Sequence, residues 1–169
     1  RLNGPLHMVR PTLQLHPART PVQPRPAATL LWLRDAEAGP EVLLTRRSPN
    51  ASFLPGVFVF PGGRVDEADA AAADLVAPAA AALPHLAAAV AALRESFEEL
   101  GVLRALDAAG RPVSAQALAQ LRRHEPLHPQ LRASGLRLAA DALRVAVRWT
   151  TDRDVQPRRF DTLFLVGRM

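Results

Sequence analysis

Residues 86–100 constrain what this chain can fold into more than any other segment. Leu86, Val90, Leu93, Phe97 and Leu100 fall within roughly 80° of arc at about 100° per residue, which makes one apolar stripe of an amphipathic helix. Gly101 supplies the expected stop, since glycine takes at little cost the left-handed conformation that commonly ends a helix. Around this helix, residues 28–34, 41–47, 57–60, 145–149 and 160–166 are apolar and β-prone. The expected architecture is therefore α/β, with a hairpin and a short strand before the helix and a second hairpin at the end.

The remaining segments fill in that outline. Residues 35–40 carry turn chemistry, and Pro61-Gly-Gly63 closes the short strand. Residues 70–84 are mostly Ala, broken by Asp74, Leu75, Val76, Pro78 and Leu83. Alanines favour helix and the prolines divide it, so a loose helical excursion with no periodic apolar face is expected there. Residues 114–123, opened by a Ser114 N-cap, and residues 136–143 read as two further helices, and residues 152–157 as a loop. Residues 1–7, ahead of Met8, resemble a cloning remnant, and the prolines from Pro11 to Pro26 make an extended arm. The domain is then 27–169, with an insert at 70–85.

The chain has 169 residues, 49% of them hydrophobic, enough for one buried core. Its formal charge is +5, and every basic residue is an arginine. Such a surface favours anionic ligands. The arginines are scattered without a run of five, which argues against a dedicated nucleic-acid tail; diphosphates are another class of anion that such a surface suits. There is no cysteine, so disulfides, thiolate metal sites and thiol nucleophiles are excluded, in keeping with a reducing cytoplasm. No stretch approaches the roughly 18 apolar residues of a membrane helix.

Opposite the apolar stripe, Glu95, Glu98 and Glu99 share roughly 100° of arc. Like charges at these spacings repel by a few tenths of a kcal/mol per pair, and Arg94 offsets only part of it. A bound cation reverses the sign. Oxygen ligands without His or Cys suit Mg²⁺ or Mn²⁺, and substrate phosphates commonly complete the Mg²⁺ octahedron, so the face points to phosphoryl chemistry. Taken alone, the same face reads as a solvated acidic surface.

Context decides between these readings. Arg94-Glu-Ser-Phe-Glu-Glu-Leu-Gly-Val102 resembles the REUXEEXGU half of the Nudix box, GX5EX7REUXEEXGU, where U is a bulky aliphatic residue. Gly63 and, after five intervening residues, Asp69 match the GX5E half, with Asp in place of Glu. Residues 70–93 stand where the family has seven residues, so the Ala-rich insert splits the box, and Ser96 occupies a U position. The resemblance implies a Nudix fold, an α/β/α sandwich with a mixed β-sheet. It also implies roles: Glu95, Glu98 and Glu99 as metal-binding and catalytic glutamates, Arg94 as the arginine that orients them, and Gly63 as the loop glycine whose backbone lies beside the metal.

Upstream, Leu43-Leu-Thr-Arg-Arg-Ser48, Gly56 and Phe60-Pro-Gly-Gly63 resemble the signature of the coenzyme A diphosphatases, with Ser52 where that signature has an arginine. A long insert in the box, together with the segments at 50–56 and 159–162, is similar to the peroxisomal branch of that group. This resemblance implies Mg²⁺- or Mn²⁺-dependent cleavage of coenzyme A or acyl-coenzyme A to 3′,5′-ADP and (acyl) phosphopantetheine. It makes Arg46, Arg47, Gly62 and Gly63 substrate contacts. The same-class alternative is hydrolysis of ADP-ribose, dinucleotides or nucleotide sugars. An alternative of a different class is a Nudix-like binding module with little turnover, because the related branch continues with a further strand and helix where this sequence ends at Gly167-Arg-Met169. That ending carries no peroxisomal tripeptide, which keeps the expected location cytoplasmic. A shortened C-terminus also leaves the edge of segment 160–166 uncovered, so a homodimer through the C-terminal hairpin or the proline arm is expected. No membrane or nucleic-acid partner is expected.

Other signals have plainer readings. His124-Glu-Pro-Leu-His128 fits the HExxH pattern of zinc sites, but Pro126 interrupts the helix that pattern needs, so a polar loop is expected. His85 reads as an exposed residue at a helix start, and Trp32 and Trp149 as core packing. Ser52 and Thr45 have no His or Asp partner at a triad-like spacing.

Overall fold

The computed structural model describes residues 22–50, 55–152 and 159–169. The expected cloning remnant, most of the proline arm, Ser52, and residues 153–157 of the expected loop lie outside the described residues. Strand β1 (Arg25–Ala36) is the spine of the molecule. Ala28, Leu30 and Trp32 point into the core, while Thr29, Leu31 and Leu33 are half-buried, as period-two alternation demands. Its far end turns into β2 (Gly39–Val42), with Leu33 opposite Val42 and Ala36 opposite Gly39. Strands β3 (Thr45–Arg46) and β4 (Phe58–Val59) pair in a small separate sheet.

Next comes β5 (Gly62–Arg64), antiparallel to the first part of β1. The Pro-Gly-Gly stretch thus begins a strand instead of closing one, because glycine lets the backbone come flush against Ala28 and Thr29. After the central helix follow β6 (Ala105–Leu106) and β7 (Arg137–Leu138), paired with each other. Finally, β8 (Arg144–Thr150) and β9 (Phe160–Arg168) form the expected hairpin. β9 runs parallel to β1 along its length, giving a mixed sheet in the order β2-β1-β9-β8 with β5 also on β1. β9 is therefore interior, and among the described residues β2 and β8 are the edges of this order.

Helix α2 (Leu86–Leu100) lies where the sequence places it, ended by Gly101 at φ 72°. Its Val90, Leu93 and Phe97 are buried with Leu30, Trp32 and Leu165 of the sheet. Trp32 sits opposite Gly167, where a Cβ would stand 2.7 Å from the indole ring. Its Nε1 donates to Ser96 Oγ at 2.6 Å, and Ser96 donates onward to the Val102 carbonyl at 2.8 Å. A serine at this otherwise aliphatic position satisfies the one polar atom of a buried tryptophan. Trp149, by contrast, is 62% exposed on β8 and not in the core.

The Ala-rich insert is not loose. It begins in a one-turn helix α1 (Glu67–Ala70) and continues as two 3-10 turns, Ala72–Leu75 and Pro78–Ala80. Ala72, Leu75, Val76 and Ala80 are buried, and Val76 bridges to Leu138. Turns of three residues present an inward side chain without a 3.6-residue period, which is why no helical stripe is visible in the sequence.

Helix α3 (Ala115–Leu118) is a single turn, with Ser114 Oγ accepting from the Ala117 amide at 3.3 Å. The helix expected at 136–143 is instead β7 and a 3-10 turn, Ala140–Ala142. The longer helix stands just before it. α4 (Leu127–Ser134) starts after Pro126 as N-cap and stops at Gly135, φ 67°. Leu127, His128 and Leu131 are its buried residues. Among the described residues no helix is long and apolar enough to cross a membrane.

Candidate active site

Strand β5 and helix α2 meet where the two halves of the split box come together. A Cβ on Gly63 would stand 2.3 Å from Glu95 Oε1, and one on Gly62 would stand 2.5 Å from the Ala28 carbonyl. At Gly62 the neighbour is the β1 backbone, so only glycine fits there; at Gly63 a side chain would displace the Glu95 carboxylate. The Gly62 amide donates to Glu99 Oε2 at 3.3 Å, so both glycines face the box carboxylates.

Arg94 is the hub. Although arginine seldom lies inside a protein unpaired, here its side chain is only 11% exposed. Nε and Nη2 grip the two oxygens of Asp69, each at 2.9 Å, in a bidentate fork. Nη1 donates to Glu95 Oε1 at 2.9 Å and to Glu98 Oε2 at 3.1 Å, and Nη2 also reaches the Arg64 carbonyl at 3.0 Å. Asp69 is fully buried and also accepts from the Asp66 amide at 2.9 Å. His128, on α4, brings Nε2 to 3.3 Å from Asp69 Oδ1, within ion-pair reach but not aligned as a hydrogen bond.

The charges respond to this arrangement. Burial alone would push the Asp69 carboxyl up, but the His128 imidazole, the Arg94 guanidinium and the Asp66 amide together lower it to about 2. Burial likewise opposes the charge on Arg94, and Asp69 and Glu95 more than restore it. Glu95 and Glu99 go the other way. Burial raises both; at Glu95 the Arg94 charge opposes the rise while Glu98 and Asp69 add to it, and at Glu99 the Gly62 amide and the Arg47 charge oppose it while Glu95 and Glu98 add to it. The box face thus carries more negative charge than Arg94 and Arg47 neutralise.

The expectation of a solvent-facing acidic helix side therefore needs correcting: Glu95, its side chain 18% exposed, and Glu98 are both half-buried, Glu99 is exposed, and Arg94 beside them is buried. Among the described residues no three His, Asp or Glu side chains converge as a ready-made metal cage. The donor set nonetheless fits a hard divalent cation. It is all oxygen and it has surplus negative charge. Arg46 lies on β3 over the Phe58 ring at 5.9 Å and donates to the Gly56 carbonyl at 3.2 Å. Arg47 follows it, close enough for its charge to act on Glu99.

Two residues of this network carried no assigned role in the sequence. Asp69 was visible as the box position itself. His128 had no such signal, since it lies far from the box in sequence and inside a pattern read as a polar loop. His124 and His128 do not form a zinc site: His124 is exposed, and His128 is buried against Asp69. His85 is the half-buried N-cap of α2 and not an exposed residue.

The NUDIX domain family model matches residues 23–133. The chain is 40% identical over 98 residues to a probable nudix hydrolase of Schizosaccharomyces pombe, covering 58% of this chain and 28% of that protein. It therefore spans little more than a quarter of that relative's length. The fold superposes on the crystal structure of a NUDIX hydrolase from Alicyclobacillus acidocaldarius with a TM-score of 0.70 and 37% identity, over 87% of this chain and 70% of that one.

Proposed function

This chain belongs to the Nudix family, and from that premise we propose that it is a metal-dependent hydrolase of coenzyme A or acyl-coenzyme A, releasing 3′,5′-ADP and (acyl) phosphopantetheine. The observation that carries the reading is the Arg94 hub, which holds Glu95 and Glu98, with Glu95 against Gly63 and Glu99, one turn on, against the Gly62 amide. Nudix hydrolases generally use divalent ions. Glu95, Glu98 and Glu99, with the Gly63 backbone alongside, would hold Mg²⁺ or Mn²⁺, with Glu99 as the central ligand. A bound ion would polarise a phosphoryl oxygen and lower the pKa of the attacking water.

The chain's own residues do the rest. Water oxygen adds to one phosphorus, the anhydride P–O bond breaks, and the water proton passes to a box carboxylate. Arg94 keeps Glu95 and Glu98 from turning away as charge moves. Arg46 and Arg47, on the hairpin beside Glu99, supply positive charge for the phosphates, and Gly62 and Gly63 let the substrate approach the backbone. The protein is further proposed to pair as a homodimer through β8, whose Val145, Val147 and Trp149 are 47%, 55% and 62% exposed.

A substrate panel tests the reading. Coenzyme A, an acyl-coenzyme A, ADP-ribose, a dinucleotide and a nucleotide sugar are each incubated with Mg²⁺ or Mn²⁺ and the products separated by chromatography. Release of 3′,5′-ADP is expected. Intact coenzyme A beside cleaved ADP-ribose would assign the chain to the other Nudix substrates, and no cleavage of any would make it a binding module.

A further inference from the structure

We infer that His128 is a positioning residue of this site: carried by α4, its imidazole holds Asp69, and through Asp69 the Arg94 fork that aims Glu95 and Glu98. The inference rests on the reading of the box face as a metal-binding centre. It starts from a buried nitrogen. His128 is 6% exposed, and its Nε2 has no aligned hydrogen-bond partner among the described residues. The group it faces is Asp69 Oδ1, at 3.3 Å.

The carboxylate has room for that contact. Oδ2 already takes Arg94 Nη2 and the Asp66 amide, whereas among the described residues Oδ1 takes only Arg94 Nε. A carboxylate oxygen accepts two hydrogen bonds, so one position on Oδ1 is left for the imidazole. A bare ring nitrogen facing a carboxylate would be repulsive. Nε2 must therefore carry a proton, whose positive end faces Asp69 Oδ1 at 3.3 Å without the alignment of a full hydrogen bond.

The helix that carries His128 is pinned at several points. Arg132 grips Asp74 of the insert through two contacts at 2.9 and 3.2 Å. Gln130 accepts from the Arg122 amide at 2.7 Å and donates to the Glu125 carbonyl at 3.1 Å, closing the loop before α4. Arg123 in that loop donates to the Glu98 and Glu99 carbonyls at the end of α2. α4 thus cannot drift relative to the catalytic helix without breaking these contacts, and Asp69 is clamped between His128 and Arg94.

Arg94 would otherwise have a choice. Glu95 and Glu98 compete with Asp69 for the same guanidinium, and an arginine released from its fork would swing onto the glutamates that a cation needs. Keeping Asp69 in place keeps Arg94 a guide and not a rival of the metal.

The test replaces His128 by Leu, which fills the space without a donor, and by Gln, whose amide nitrogen can stand where Nε2 stood. Three quantities are read: kcat and KM with Mn²⁺; Mn²⁺ affinity by calorimetry without substrate; and the His128 tautomer in the unmodified protein by long-range proton–nitrogen correlation. The Leu variant is expected to lose roughly ten- to a hundredfold in kcat and in Mn²⁺ affinity. Its KM should stay within about twofold, since no substrate contact is removed. Gln should recover most of the loss, and the spectrum should show the proton on Nε2. A folded His128→Leu protein with unchanged kcat and Mn²⁺ affinity would overturn the inference. So would a bare Nε2 in the unmodified protein, a result that stands even if the Leu variant does not fold. Failure of the underlying reading looks different: the unmodified chain then neither binds Mn²⁺ nor cleaves a diphosphate, and the role of His128 falls with it.

Discussion

Asp69 is the residue on which the site's electrostatics turn, because it is fully buried yet held as an anion by Arg94, His128 and the Asp66 amide. Its carboxyl is lowered from an ordinary 3.8 to about 2. A depressed folded-state pKa stabilises the protein above the unfolded value, and that contribution disappears as the pH falls from about 4 to about 2; it amounts to on the order of 2 kcal/mol. Asp69→Asn should therefore lower the melting temperature at neutral pH and flatten its acid dependence between pH 4 and 2. Parallel melting curves for the two proteins across that window would show that Asp69 is not the group being titrated. Much of this was legible at single positions. The spacing from Gly63 marks Asp69, and the helical face marks Glu95, Glu98 and Glu99. Ser96 looked like a departure from the box because its partner, Trp32, is brought to it only by the fold.

Elements were legible where one periodicity ran long enough to be recognised. α2 spans four turns with an unbroken stripe and a glycine stop, and its bounds agree with the expected ones. α4 is two turns long and begins at Pro126, a residue that reads equally as a helix start and as a helix breaker. The insert misled for a related reason. Its 3-10 turns bury Ala72, Leu75, Val76 and Ala80 singly, and Asp74 ties it to Arg132. The sequence alone suggests a segment that could be shortened freely; the structure predicts the opposite. Replacing residues 71–83 by a short loop removes the buried Leu75 and Val76 and the anchor of α4, and should cost at least about 2 kcal/mol, as expected for emptying a core site. Denaturant titration checks this, and an unchanged midpoint with cooperative unfolding would show that the insert only lies on the surface.

At the scale of the whole molecule, one mixed sheet and one helix bring together the two halves of a box separated by the insert. β1 does most of this, since it pairs with β2, β5 and β9 and so sets the glycines of β5 in front of α2. Among the described residues the same topology leaves β8 as an edge with Val145, Val147 and Trp149 exposed. Light scattering across a dilution series should give a dimer at micromolar concentration, reduced to monomer by Trp149→Asp, whereas a monomer throughout would show that this edge needs no partner. Whether the box face is the place of chemistry is decided by kcat and melting temperature measured together on Glu99→Gln with Mn²⁺ and the best substrate of the panel. Loss of a metal ligand from an exposed helix position should lower kcat by at least about a hundredfold with little change in stability. A Glu99→Gln protein that melts like the unmodified chain and turns over at the same rate would contradict it.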